Sequence, residues 1–146
     1  MTATIHQPAS ALSAVSQRRR SRARLVATAM FSTSAIYLAA SAAGVSFNLT
    51  DPGKSQAMHL TLPVIAGFTL FFALTGWAAL TILERHSRRA PAIWSVLAGA
   101  VLLLSFAPIG IEHASPATRA VLALIHCTVA AALFPMLRYS PARRRA

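Results

Sequence analysis

The side chain best suited to chemistry in this sequence is His126, which interrupts an otherwise apolar stretch. An imidazole changes charge near neutral pH without help from its surroundings, and an ionisable group inside a hydrocarbon layer is a functional candidate by default. Counting from Arg119 at about 1.5 Å per residue places His126 roughly 10 Å below one boundary of such a layer. Tyr37 and Ser105, in two other apolar stretches, count to roughly 20 Å from the opposite boundary, which is the same depth in a core about 30 Å thick. Thr69, in the remaining stretch, falls close by. The expectation is a polar layer of His126, Ser105, Tyr37 and Thr69, with neutral His126 sharing hydrogen bonds with Ser105 or Tyr37. Such a layer either sets helix register or moves a proton or substrate.

Other chemistries have thinner support. His59 and His113 are weak candidates for a metal site, since Met58-His59 and Glu112-His113 lie near the same ends of their apolar stretches. No metal and no cofactor is expected, and haem held between helices would call for a second intramembrane histidine. Cys127 is the only cysteine, so an intramolecular disulfide and a CxxC redox motif are both excluded. It lies next to His126 but about 100° around a helix, which argues against a Cys/His catalytic pair. No nucleophile, base and acid converge in the sequence, and the chain is not expected to be an enzyme. No Asp or Glu falls inside an apolar stretch, which also argues against a carboxylate-driven proton antiporter.

The elements that must position these residues follow from composition. The 146-residue chain is 55% hydrophobic and 12% charged, too apolar for an ordinary soluble domain, where about 25% charge is typical. Four apolar stretches read as spans at about 25–47, 60–83, 93–111 and 119–137, each near the roughly 20 residues that a bilayer crossing needs. The fold class is therefore all-α, a bundle of four transmembrane helices over residues 25–138. Residues 1–24 read as a disordered basic tail and 139–146 as a second basic tail.

The net charge of +11 could belong to a nucleic-acid binder, but the basic residues cluster beside the spans. Five arginines precede the first span, three separate the second from the third, and four follow the last; together these twelve oppose only Lys54 and Arg119. That asymmetry puts both termini on the cytoplasmic side. Nucleic acid is set aside, and the expected partners are anionic lipid headgroups at the cytoplasmic face, with a second copy or another membrane protein beyond them. Trp94, Tyr139, Arg24, Arg85 and Arg138 are read as membrane-interface anchors. The first span also imitates a secretory signal peptide, with arginines, an apolar stretch and small residues in order.

Local signals refine the helices. Ala35, Ala39 and Ala43 form a row of small residues that lets another backbone approach, so the first helix is expected to pack inside the bundle. Asp51-Pro52-Gly53 reads as a turn in a polar loop, and Pro63 sits in the first turn of the second helix. Glu84 and Arg88, four residues apart, would pair on a helix extended past the membrane. Pro108 leaves the Leu104 carbonyl unpaired, predicting a kink relieved by Ser105 or a neighbouring helix. Ser115-Pro116 reads as an N-cap followed by proline at the first helical position.

The third and fourth spans, with Trp94, Ser105, Pro108, His126 and Pro135 ahead of a terminal arginine cluster, resemble an actinobacterial family of four-helix membrane proteins of unknown function. The resemblance covers residues 25–138 and implies a multi-pass protein of the bacterial plasma membrane, without supplying an activity. The expected role is a structural, accessory or interaction subunit. The alternatives are a small oligomeric transporter or channel using His126, and a metal- or cofactor-binding membrane protein.

Overall fold

The structure, a computed structural model, describes residues 9–50, 53, 57–111 and 114–139, with the side chains of 9–12, 14, 57, 111, 138 and 139 left aside. Four long helices dominate the described residues: α1 (Ala9–Ala42), α2 (Leu62–His86), α3 (Ala90–Ile111) and α4 (Pro116–Leu133). All four are long and apolar enough to cross a membrane. Their outer surface carries Phe31, Phe68, Phe71, Val96, Leu103 and Leu104, all exposed, as suits a body solvated by hydrocarbon. The helices form a ring in chain order, with α1 packing most extensively on α2 and α4 and a diagonal contact between α2 and α4.

α1 differs from its reading as a tail followed by a span. It is helical from Ala9, through the arginine cluster, because arginine and alanine are good helix formers and no glycine or proline intervenes before Gly44. Gly44, at φ +85°, takes the left-handed conformation that ends the helix. Its N–H donates to Ser41 and the Val45 N–H reaches back to Ala40, both at 3.0 Å, a pair of bonds that caps the last carbonyls. The helix therefore stops at Ala42, short of Phe47.

The face that α1 buries is also not the expected one. Arg22, Val26, Ala29, Thr33 and Tyr37 are buried, at successive spacings of four, three, four and four, one stripe of a helix. Ala35, Ala39 and Ala43 are exposed and face away from the bundle.

The expected loop between α1 and α2 contains a small antiparallel hairpin, β1 (Asn48–Thr50) and β2 (Ala57–His59), with Leu49 opposite Met58. The Leu60 N–H donates to the Phe47 carbonyl at 2.9 Å and extends the ladder. Phe47 and Leu49, two residues apart and so on one face, are buried with Leu60 against Tyr37, Ile65, Leu122 and Ile125. The hairpin thus closes one end of the bundle. Of the expected turn, Gly53 has φ +83°, while Asp51 and Pro52 lie outside the described residues.

Two side chains tie this cap down. The Tyr37 hydroxyl donates to the Leu60 carbonyl at 3.1 Å, with its ring 4.6 Å from that of Phe47. The Thr118 hydroxyl donates to the Ser46 carbonyl at 2.7 Å. Tyr37→Phe keeps the ring and removes the first bond, so the melting midpoint in detergent should drop by the equivalent of about 1 kcal/mol. An unchanged midpoint would show that the cap is held by apolar packing alone.

The remaining helix ends have local causes. Pro63 lies in the first turn of α2. Ser87 is extended and stops α2 at His86, and its side-chain oxygen accepts from the Arg89 N–H at 3.1 Å at the start of α3. Arg88 therefore lies beyond the end of the helix, and the expected pairing with Glu84 is replaced by another, described below. Ser115 caps α4 as expected, accepting from the Thr118 N–H at 3.1 Å with proline next in the chain. α3 continues through Pro108, and the Ser105 hydroxyl donates to Leu102 at 2.6 Å instead of serving Leu104. After α4, a 3-10 turn (Phe134–Tyr139) carries Met136 and Leu137 into an apolar cluster with Val26, Leu80 and Trp94 at the end where α1 enters the bundle.

Candidate functional site

The four residues expected to share a polar layer each find a different partner. His126 Nδ1 lies 2.7 Å from the Leu122 carbonyl one turn back on α4. A carbonyl oxygen can only accept, so Nδ1 carries the hydrogen and, in the neutral ring, Nε2 holds the lone pair. The ring is half-buried and lies 5.9 Å from that of Phe106 on α3. Ser105 is bonded within its own helix and Tyr37 to the hairpin. Thr69 meets Thr33 across α1 and α2 at 3.4 Å. The Thr33 hydroxyl reaches its own helix, with Ala29 at 3.0 Å and Met30 at 3.1 Å, which leaves Thr69 as the donor between the two. His126 therefore shares no hydrogen bond with Ser105 or Tyr37. Depth had suggested a layer, but hydroxyls within reach of a carbonyl one turn back are satisfied locally.

The other candidates are placed as follows. His59 is exposed on β2 opposite Asn48, and His113 lies outside the described residues. Among the described residues no three His, Cys, Asp or Glu side chains gather where they could hold a metal ion. Cys127 is exposed. Arg24 and Arg85 are exposed, while Arg138 and Tyr139 lie in the 3-10 turn with their side chains among those left aside.

Trp94 requires a correction. It is 5% exposed, so it is a core residue and not an interface anchor. Its Nε1–H donates to the Gly76 carbonyl of α2 at 2.9 Å, and its ring packs edge-on near Phe134, with centroids 6.4 Å apart. A β-carbon added at Gly76 would lie 3.9 Å from the Trp94 ring, in ordinary contact, so the indole is seated directly against this part of α2.

The least expected feature is a buried ion pair. Arg22, 3% exposed, donates to Glu84 Oε1 through Nη2 at 2.5 Å and to Thr81 Oγ1 through Nη1 at 3.5 Å. Its Nε is buried with no partner among the described residues. Thr81 in turn donates to the Trp77 carbonyl at 2.8 Å. Sequence reasoning placed Arg22 in a solvated cluster. The available signal was phase, since Arg22 lies four residues before Val26 and seven before Ala29, on the stripe that α1 buries. Charge neutralisation inside the bundle makes this a clamp between α1 and α2.

What the arrangement does chemically is hold helices together. Thr75, Thr81, Ser95, Ser105, Thr128 and His126 each bond a carbonyl three or four residues back on their own helix. Thr33, Thr69, Tyr37, Trp94 and the Arg22–Glu84 pair join different segments.

No curated protein and no solved structure matches the chain. A family of unknown function, DUF6069, matches residues 13–143, from within α1 to beyond the 3-10 turn. With that match spanning nearly the whole chain, the protein belongs to the DUF6069 family.

Proposed function

We propose that the protein is a structural or accessory subunit of the bacterial plasma membrane, without catalytic activity, that works by packing against another membrane protein or a second copy of itself. The observation that carries this reading is the use of the polar side chains. The described hydroxyls of α2, α3 and α4, the His126 imidazole and the Trp94 indole bond backbone carbonyls or another hydroxyl, which supports a scaffold more than a site that grips a ligand. The exposed row of Ala35, Ala39 and Ala43 supports it further, as small residues let a neighbouring helix approach closely. The arginine asymmetry supports placing both termini in the cytoplasm.

The test is the assembly state of the full chain in mild detergent, measured by native mass spectrometry. A stoichiometric complex is expected, and Ala39→Leu should dissociate it while leaving the melting midpoint in place, because the added bulk enters only the outward face. The alternative, a small transporter or channel working through His126, is favoured by one observation: the bond to Leu122 leaves Nε2 as an acceptor in a half-buried ring. A solitary monomer would sink the accessory reading. If, in addition, His126→Ala abolished proton or solute flux into proteoliposomes with unchanged stability, transport would take its place.

A further inference from the structure

The cytoplasmic-type cluster on α1 does more than mark an orientation, because its helical continuation fixes two of its arginines over a groove. Val15, Ser16, Arg19, Arg20 and Ala23 of α1 and Trp77 of α2 line an open surface groove of about 510 Å³. Residues 15, 19 and 23, with 16 and 20 beside them, lie on one side of a helix. Had the segment been a loose tail, these side chains would have no common direction.

The charges in the groove are unbalanced. Glu84 is the sole carboxylate among the described residues, and Arg22 takes it. Arg19 and Arg20 carry no ion pair or hydrogen bond to any described residue, and both line the groove, about 100° apart around the helix. Ser16 is likewise open. Trp77, half-buried, accepts from Thr81 through its backbone carbonyl, packs against the apolar cluster of Leu80 and Trp94, and lines the groove. Trp77 lies one to two turns further into the bundle than Glu84, so an apolar surface stands on the membrane side and the guanidinium groups on the aqueous side.

We propose that this groove is a binding site for an anionic phospholipid of the leaflet at the arginine-bearing end of the bundle. Arg19 and Arg20 take the phosphodiester, with Ser16 donating a further hydrogen bond, and the glycerol and first acyl segment lie on Trp77 and Ala23. Guanidinium groups suit a phosphate because their paired N–H donors match two of its oxygens. The join of apolar wall to cationic floor selects a lipid over a free phosphate. The site requires only that the helices span a bilayer and is independent of what protein the bundle packs against.

The full-length chain in neutral detergent micelles, doped with phosphatidylglycerol or phosphatidylcholine and read by native mass spectrometry, tests this. Phosphatidylglycerol should be retained in preference to phosphatidylcholine, and excess inorganic phosphate should not displace it. R19A/R20A should weaken retention roughly 30-fold, equivalent to about 2 kcal/mol for two interfacial arginines. R19K/R20K, which keeps the charge and loses the fork, should weaken it roughly threefold. Both arginines are exposed, so the melting midpoint serves as the control for folding. R88A/R89A, removing two exposed arginines away from the groove, should leave retention intact. Equal retention of the two lipids, displacement by phosphate, an unaffected lysine pair, or an equal loss in R88A/R89A would each overturn the proposal.

Discussion

Glu84→Gln lowers the thermal midpoint of the solubilised protein by the equivalent of about 3 kcal/mol, Arg22→Met does the same, and the double variant regains most of the loss. That is the result expected of a pair whose charged members are both withdrawn from water. A buried guanidinium deprived of its carboxylate must keep its charge without compensation, a loss of about 3–5 kcal/mol where measured in other proteins, whereas exchanging both partners for uncharged side chains is often close to neutral. Arg22 is nearly inaccessible, and its Nε has no partner among the described residues, so no spare hydrogen bonding there absorbs the loss. Arg24, two residues on and exposed, supplies the comparison. Arg24→Met should shift the midpoint by no more than about 0.5 kcal/mol, as for a surface residue. The experiment is a double-mutant cycle read by melting in detergent. Additive single effects, or a cost at Arg22 no larger than at Arg24, would remove the ion pair as the clamp between α1 and α2.

Trp94→Ala is the second large effect, about 3–5 kcal/mol, as for other buried aromatic truncations. Trp94→Phe should lose about 1 kcal/mol, the worth of the bond to the Gly76 carbonyl. The indole touches three elements at once: the α2 backbone at Gly76, the cluster containing Leu80 and Leu133, and the ring of Phe134. Its removal opens a void where α2, α3 and the 3-10 turn meet. The alternative role of an indole among headgroups makes a different prediction, since an interfacial tryptophan contributes little once detergent replaces the bilayer. A midpoint unchanged in Trp94→Ala would restore that role. Gly76→Leu offers an independent check from the other side of the contact. A β-carbon at 3.9 Å is ordinary contact, but the branches of leucine beyond it would displace the indole and should reproduce much of the Trp94→Ala loss.

These two contacts show where sequence reasoning is informative and where it is not. Arg22 and Trp94 were both assigned to the membrane boundary by their distance from apolar stretches. That distance is a height along the bundle axis and carries no information about rotation around it. Arg22 and Arg24 differ by two residues, about 200° on a helix, and one is buried while the other is exposed. The same limitation separates His126, Ser105, Tyr37 and Thr69, which counting places at one depth and which bond different partners. Helical phase could have found Arg22, because Val26, Ala29, Thr33 and Tyr37 continue its stripe. It could not have found Glu84 as its partner, since that depends on how far α1 and α2 slide past one another.

The hairpin was missed for a different reason. Three-residue strands interrupted by Asp51-Pro52-Gly53 resemble a polar loop, and only Phe47, Leu49 and Leu60, buried against Tyr37 and Leu122, turn that segment into a cap. An isolated two-stranded hairpin is marginal in water; the bundle beneath it supplies the apolar surface it rests on.

By itself the sequence determined four membrane-length helices, the Ser115 cap and the proline in the first turn of α2. Each of these is decided by the chain within about one turn or one apolar stretch, because helices satisfy their own backbone and caps satisfy the next N–H along. The tertiary structure alone decided that α1 turns its alanine row outward, that Arg22 meets Glu84, that Trp94 bonds Gly76 and that Arg19 and Arg20 share a groove with Trp77. Those outcomes depend on the rotation and axial offset of whole helices, which are set by how all four surfaces pack together and not by any one segment.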